Sequence, residues 1–206
     1  MIKILMTNPY QINFEIDTIN KLFDMGLDRL IISKPEFDSE ALEKYIQKID
    51  VKNHNKLILI EDLKMAERYK VAGILISKDQ VFKFFYNPFI FNPFLKRNPN
   101  IEIYQKVRNV KEMDKMDSRV TRVLIYPTFI EHYKQNIIQF FDNNSLEQRK
   151  DKNILVFAMG GVTPSRYSEM LKYKFDGFVL HSTIWRESLP IERFEEFITA
   201  EKENNS

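Results

Sequence analysis

The chain has 206 residues, enough for one large domain or two small ones, and 44% of them are hydrophobic, which can supply a core. Lysine and arginine nearly balance aspartate and glutamate, leaving a formal charge of +2, which argues against a dedicated nucleic-acid surface. There is no cysteine, so disulfides and thiolate metal sites are excluded, and no apolar run reaches membrane-spanning length.

Met1-Ile-Lys-Ile-Leu-Met6 is too short for a signal peptide and reads as a first strand, Ile2 to Met6, stopped by Asn8-Pro9. A cytoplasmic protein is the expectation. Phe14, Ile19, Leu22 and Phe23 follow at helical spacing up to Gly26. Asp28 to Ser33 is a second strand, broken by Pro35. Ser39 is read as the N-cap of a helix with Leu42, Tyr45, Ile46 and Ile49 on one face. Lys56 to Ile60 is a third strand, Asp62 to Lys70 a helix, and Ile74 to Ser77 a fourth strand.

Residues 81–95 then place six phenylalanines and a tyrosine around two Asn-Pro turns, neither a clean helix nor a clean strand. The segment reads as an irregular cover for the core, or alternatively as an apolar patch (Phe82 to Phe94) for self-association. Ile101 to Tyr104 is a fifth strand, Val110 to Met116 a short helix, and Val120 to Tyr126 a sixth strand ended by Pro127. Tyr133, Ile137, Ile138 and Phe141 give a helix face over Glu131 to Phe141, and residues 143–152 form a polar loop.

Ile154 to Met159 is a seventh, fully apolar strand. It runs into Gly160-Gly161 and then Thr163-Pro164, an N-cap residue type followed by a proline suited to the first helical position, with the helix continuing to about Lys174. Bare glycine backbone at a strand's carboxyl end can admit an anion to N–H groups, although such a turn can also serve packing alone. Phe175 to Leu180 is the eighth strand and Ile191 to Ala200 the last helix; residues 201–206 read as a frayed tail.

Strict alternation of strands and helices allows a doubly wound sheet or a closed barrel; eight units followed by a terminal helix favour a single-domain (β/α)₈ barrel over residues 1–206. In a barrel the chemistry lies at the carboxyl ends of the strands. Those ends carry Thr7-Asn8, Ser33-Lys34, Glu61-Asp62, Ser77-Lys78-Asp79, Tyr126 with Lys134 beyond it, Gly160-Gly161 and His181-Ser182-Thr183. By residue type this is an anion site: lysines, N–H-rich turns, and three acids (Glu61, Asp62, Asp79) able to hold Mg²⁺. The histidines at 54, 132 and 181 have no metal-ligand spacing, and no nucleophile with an adjacent base is evident.

The chain resembles the thiamine-phosphate synthases and their TenI-like thiazole-tautomerase relatives. The resemblance is carried by Arg29-Leu-Ile-Ile-Ser-Lys-Pro35, Leu57-Ile-Leu-Ile-Glu-Asp-Leu-Lys-Met-Ala66, Val71-Ala-Gly-Ile-Leu-Ile76, Val123-Leu-Ile-Tyr-Pro-Thr-Phe129, Phe157-Ala-Met-Gly-Gly-Val162 and Phe175-Asp-Gly-Phe-Val-Leu-His-Ser-Thr-Ile-Trp185. It is greatest toward the shorter branch, in which arginine-lysine-proline follows strand two. It implies a (β/α)₈ barrel that joins a hydroxymethylpyrimidine pyrophosphate to a thiazole phosphate, with Mg²⁺ and release of pyrophosphate.

The resemblance also implies roles for particular residues. Lys34 and Lys134 would meet the pyrophosphate and Glu61 with Asp79 the metal. Gly160, Gly161 and Ser182 would hold the thiazole phosphate, with His181 beside them. The chain departs from the family pattern at Ser33 (arginine there), Ile60 and Glu61 (asparagine and a metal-binding aspartate) and Tyr126 (serine); Asp79 lies one position short of the second metal aspartate. These departures leave a second reading, a non-catalytic barrel with a phosphate pocket. Two further readings are a tautomerase using His181 and an interaction scaffold using Phe82 to Phe94, the latter dissolved by Phe89→Asp with Phe91→Asp.

Overall fold

A computed structural model describes residues 1–85, 87, 89–129, 146, 153–186 and 189–204. Eight parallel strands close into a barrel in sequence order: β1 Ile2–Met6, β2 Arg29–Ile32, β3 Leu57–Ile60, β4 Gly73–Ile76, β5 Glu102–Val107, β6 Arg122–Ile125, β7 Leu155–Met159 and β8 Gly177–Leu180. Closure is made by β8 against β1, with Ile4 opposite Val179 and Leu5 opposite Leu180. This is a (β/α)₈ barrel, the architecture read from the alternation.

The apolar runs of the strands divide by parity, because successive side chains face opposite ways. Ile4, Ile31, Ile58, Leu75, Tyr104, Leu124, Phe157, Met159 and Val179 fill the barrel interior. Their neighbours Leu5, Leu30, Leu57, Ile74, Ile103 and Val123 face the helices and join the outer core. Tyr104 and Phe157 are large for an inner layer. They fit because Gly73 and Gly177 stand beside them: a Cβ on Gly73 would come within 2.8 Å of the Tyr104 ring, and one on Gly177 within 2.8 Å of Phe157.

The amino end of the barrel is closed by charge. Arg29, first in β2, binds Glu102, first in β5, through two bonds of 3.1 and 3.0 Å, and Tyr104 donates to the same carboxylate at 2.7 Å.

The helices lie outside, each with one apolar stripe inward. Among the described residues they are α1 Glu15–Asp24, α2 Ser39–Gln47, α3 Leu63–Tyr69, α4 Val81–Phe85, α5 Phe91–Arg97, α6 Val110–Met113, α7 Tyr167–Lys172, α8 Ser182–Trp185 and α9 Pro190–Asn204. The stripe of α1 is Ile19, Leu22 and Phe23, that of α2 Tyr45 and Ile46, and that of α9 Phe194, Phe197 and Ala200. No helix among the described residues is long and apolar enough to cross a membrane.

Several sequence expectations shift. The cap of α2 is Asp38, whose Oδ1 accepts from Ala41 N at 2.8 Å; Ser39 is already helical. Thr163 precedes a 3₁₀ turn, Pro164–Arg166, and its hydroxyl meets Ser165 Oγ rather than a backbone N–H, so the helix itself is only Tyr167–Lys172. Residues 201–204 are not frayed: α9 continues through them, because Glu201 is held by Lys3 Nζ at 2.8 Å.

β5 runs past Tyr104 to Val107, so the end of strand five lies three residues later than the apolar run indicates. The mixed string Gln105-Lys106 hides the strand because one face meets the helix layer and the other the open mouth.

The phenylalanine-rich segment forms α4 and α5, and Phe84, Phe91 and Phe94 are core residues at 3%, 0% and 1% exposure. Phe91 and Phe94 therefore cannot belong to an exposed patch, and Phe91→Asp would bury a carboxylate rather than dissolve a contact. Among the described side chains of 82–94, the large apolar ones open to solvent are Phe89 and Ile90. The expected helix at 131–141, with Lys134 and His132, lies outside the described residues.

Candidate functional site at the carboxyl mouth of the barrel

The turns after β7 and β8 meet. Gly160 and Gly161 take φ of +88° and +69°, conformations that L side chains rarely adopt. They are also walled in. A Cβ on Gly160 would meet the Tyr126 ring at 2.9 Å, and one on Gly161 would lie 1.9 Å from the carbonyl oxygen of Phe129. The segment after β6 is stitched to this turn by Thr128 N to Met159 O (2.8 Å), Phe129 N to Gly160 O (3.0 Å) and Met159 N to Thr128 Oγ1 (2.9 Å).

On the other side, Thr183 Oγ1 donates to Val162 O at 2.6 Å, tying the β8 turn to the β7 turn. The N–H groups of Gly161, Val162, Ser182 and Thr183 make no hydrogen bond among the described residues. They lie on two latched turns at the carboxyl end, an arrangement that can receive an oxyanion.

His181 ends β8 and is half-buried. Burial, with the Arg186 charge adding to it, lowers its pKa from the ordinary 6.5, so the ring is neutral at pH 7. The folded protein binds this proton less well than the unfolded chain. The contribution is therefore intact above pH 6.5 and is lost as pH falls through 6.5 toward the lowered value. Chemical unfolding between pH 7 and 5 should show this loss, and His181→Asn should flatten it; an unchanged slope in the variant would refute the assignment.

Lys34 is brought to the mouth by β2, where its ammonium is taken up by the loop after β1 and by α1. Its side chain is fully buried and its ammonium meets Asn8 O at 2.7 Å, Tyr10 O at 2.8 Å and Glu15 Oε2 at 2.6 Å. An ammonium has three donors, and all three are taken. The Tyr45 ring lies 5.1 Å from the nitrogen. Glu15 in turn accepts Asn8 N at 3.0 Å. The pair therefore anchors the β1–α1 loop. Glu15 was not singled out from the sequence, where nothing in the stretch Phe14-Glu15-Ile16 marks it as buried.

The two acids after β3, Glu61 and Asp62, are likewise engaged. Glu61 adopts φ of 59° and its Oε1 accepts from Ser77 N at 2.8 Å and from the Ser77 hydroxyl. Asp62 caps α3 by accepting Met65 N at 2.9 Å. Asp79 lies in the 3₁₀ turn Lys78–Gln80. Among the described residues no group of three His, Asp or Glu side chains is placed to share a cation.

Lys106 is a mouth cation that the sequence reading missed. It shares the inward parity of Tyr104, is exposed, and its Nζ lies 5.1 Å over the ring of Tyr126. That ring packs on Gly160, so Lys106 stands across one aromatic ring from the glycine turn. Extending the alternation past Tyr104 would have found it. Trp185 closes the stretch that follows β8; its Nε1 donates to Met6 O at 2.7 Å and ties α8 to the end of β1.

No family model matches this sequence, and no curated protein matches it. Solved structures do share the fold. A thiamine phosphate pyrophosphorylase from Bacteroides thetaiotaomicron superposes with a TM-score of 0.72 at 20% identity, covering 98% of this chain and 98% of that one. A thiamine phosphate pyrophosphorylase from Pyrococcus furiosus gives 0.74 at 12% identity over 98% and 96%. The orotidine 5'-phosphate decarboxylase of Pyrococcus horikoshii OT3 gives 0.63 at 11% identity over 98% and 99%. At these identities the likeness establishes the barrel fold.

Proposed function

We propose that this barrel acts on phosphorylated small molecules, holding a phosphate on the β7 and β8 turns, and that it is a divergent transferase of the thiamine-phosphate-synthase type. The observation that carries the reading is the latched pair of turns, with the N–H groups of Gly161, Val162, Ser182 and Thr183 unpaired among the described residues. Full-length likeness to two thiamine phosphate pyrophosphorylases supports the same reading, as does the sequence resemblance at Phe157 to Val162 and Phe175 to Trp185.

On this reading the turns orient a thiazole phosphate and the Tyr126 ring packed on Gly160 borders the heterocycle. Lys106 supplies positive charge across that ring, and neutral His181 offers a hydrogen bond. Charge on a departing pyrophosphate would be met by cations rather than by a base. Lys134, outside the described residues, is the second lysine this reading assigns to it. No step is assigned to Mg²⁺.

A second reading, a barrel that binds the phosphate without turnover, is favoured by Lys34, whose donors are all occupied within the protein. One experiment separates the two. Thiazole phosphate binding is measured by calorimetry, and coupling to the pyrimidine pyrophosphate is assayed with added Mg²⁺, each for the wild type and for Thr183→Val, which cuts the latch. Binding weakened at least tenfold in Thr183→Val, together with product formation that falls in parallel, is the expected result. Binding without product leaves the second reading. Binding unaffected by Thr183→Val, or no binding to folded protein, overturns both.

A further inference from the structure

The lumen-facing side chains just above the inner core layer form the floor of the mouth. Two residues on from Ile4, Ile58 and Phe157, along β1, β3 and β7, stand Met6, Ile60 and Met159. None of the three carries a hydrogen-bonding atom stronger than a thioether sulfur. Met6 and Met159 pack on the inner layer. Ile60 is instead 37% exposed, an aliphatic side chain left open at a lumen-facing position. β3 lies four strands round the barrel from β7, so Ile60 stands across the lumen from the glycine turn.

The polar side chains that follow Ile60 are turned to partners of their own. Glu61 accepts from the backbone N–H and the hydroxyl of Ser77, and Asp62 caps α3. The register that pairs Ile32 with Leu59 brings Ser33 beside Ile60, which adds a single hydroxyl at the edge of the apolar surface. An aminopyrimidine ring presents two accepting ring nitrogens and an amino group with two N–H donors. One hydroxyl cannot serve them all, and each polar atom covered without a partner weakens binding. An apolar ring or chain loses nothing there and gains by covering Ile60.

We infer that Ile60 is a specificity-determining residue of the mouth, and that the group borne by the pyrophosphate substrate is an aromatic or alkyl group without hydrogen-bonding atoms. This rests on the transferase reading above and narrows its second substrate. The contact is one of shape and desolvation, so Ile60 selects the group without touching the phosphates.

Benzyl pyrophosphate and the hydroxymethylpyrimidine pyrophosphate are the probes, each titrated into the protein by calorimetry in the same buffer. Both carry the same pyrophosphate, so the ratio of their affinities reads the ring alone. The expected result is benzyl pyrophosphate bound about tenfold tighter or more by the wild type, a preference kept by Ile60→Val and reduced to within about threefold by Ile60→Asn. Ile60→Thr, which puts a hydroxyl on a side chain of valine's size, replaces Ile60→Asn if that variant does not fold. Equal affinities in the wild type, or tighter binding of the pyrimidine, overturn the inference. A preference unchanged in the polar variant overturns it as well. If neither probe binds while thiazole phosphate does, the inference falls and phosphate binding by the β7 and β8 turns stands. If none of the three binds to folded protein, that reading falls and takes the inference with it.

Discussion

Lys34→Met is expected to destabilise the protein by about 3–5 kcal/mol, the usual effect of leaving a buried charge without its partner. The reason is geometric. Lys34 and Glu15 lie at 0% and 2% side-chain exposure with 2.6 Å between nitrogen and oxygen. Removing the ammonium leaves a carboxylate in the core and strips the donor from the carbonyls of Asn8 and Tyr10. Lys34→Met/Glu15→Leu should recover part of the loss, since the isolated charge is gone. It should not recover all of it, since those two carbonyls and Asn8 N lose their partners. Urea unfolding of the wild type, both single variants and the double variant gives the coupling. Single variants within about 1 kcal/mol of wild type would refute the buried pair. They would return Lys34 to the solvent-facing role that its place after β2 suggests.

Gly161→Ala is expected to be the most damaging single methyl that can be added at the mouth, with a loss above about 4 kcal/mol or failure to fold. The backbone at φ +69° is strained for alanine, which alone costs about 1–3 kcal/mol. The new carbon would also lie 1.9 Å from the Phe129 carbonyl oxygen. That carbonyl cannot swing aside cheaply, because Phe129 N is bonded to Gly160 O and Thr128 is stitched to Met159 on both sides. Gly26→Ala is the control. Gly26 also has positive φ, but an added Cβ meets nothing within 4 Å, so only the strain remains. Thermal melts of the two variants should differ by several degrees or more. Equal losses would mean that strain, not the Phe129 contact, sets the requirement. A larger loss at Gly161 would mean that packing against Phe129 demands the glycine there.

How much of this was legible depended on whether the signal was local. The eight strands announced themselves because their branched and aromatic runs are bounded by glycine, proline or charge, and their alternation with helical stripes pointed to a closed barrel. β5 was cut short because Gln105-Lys106 breaks the apolar run on which the reading relied. The phenylalanine-rich segment resisted assignment because its two helices are short and proline-punctuated, so neither period persists long enough to register.

The sequence by itself determined the barrel and the glycine turn, since period, turn chemistry and order along the chain are properties of neighbouring residues. It also named residues delivered to the mouth by the strands whose ends it placed, because strand ends fix position, but not Lys106 on the longer β5. It could not determine what each delivered side chain does there. That Lys34 faces Glu15, that Glu61 accepts from Ser77 and that Thr183 latches Val162 are all pairings across the fold. A charged or polar group takes its role from whichever partner lies within about 3 Å once the chain has closed, and that distance is set by tertiary packing alone.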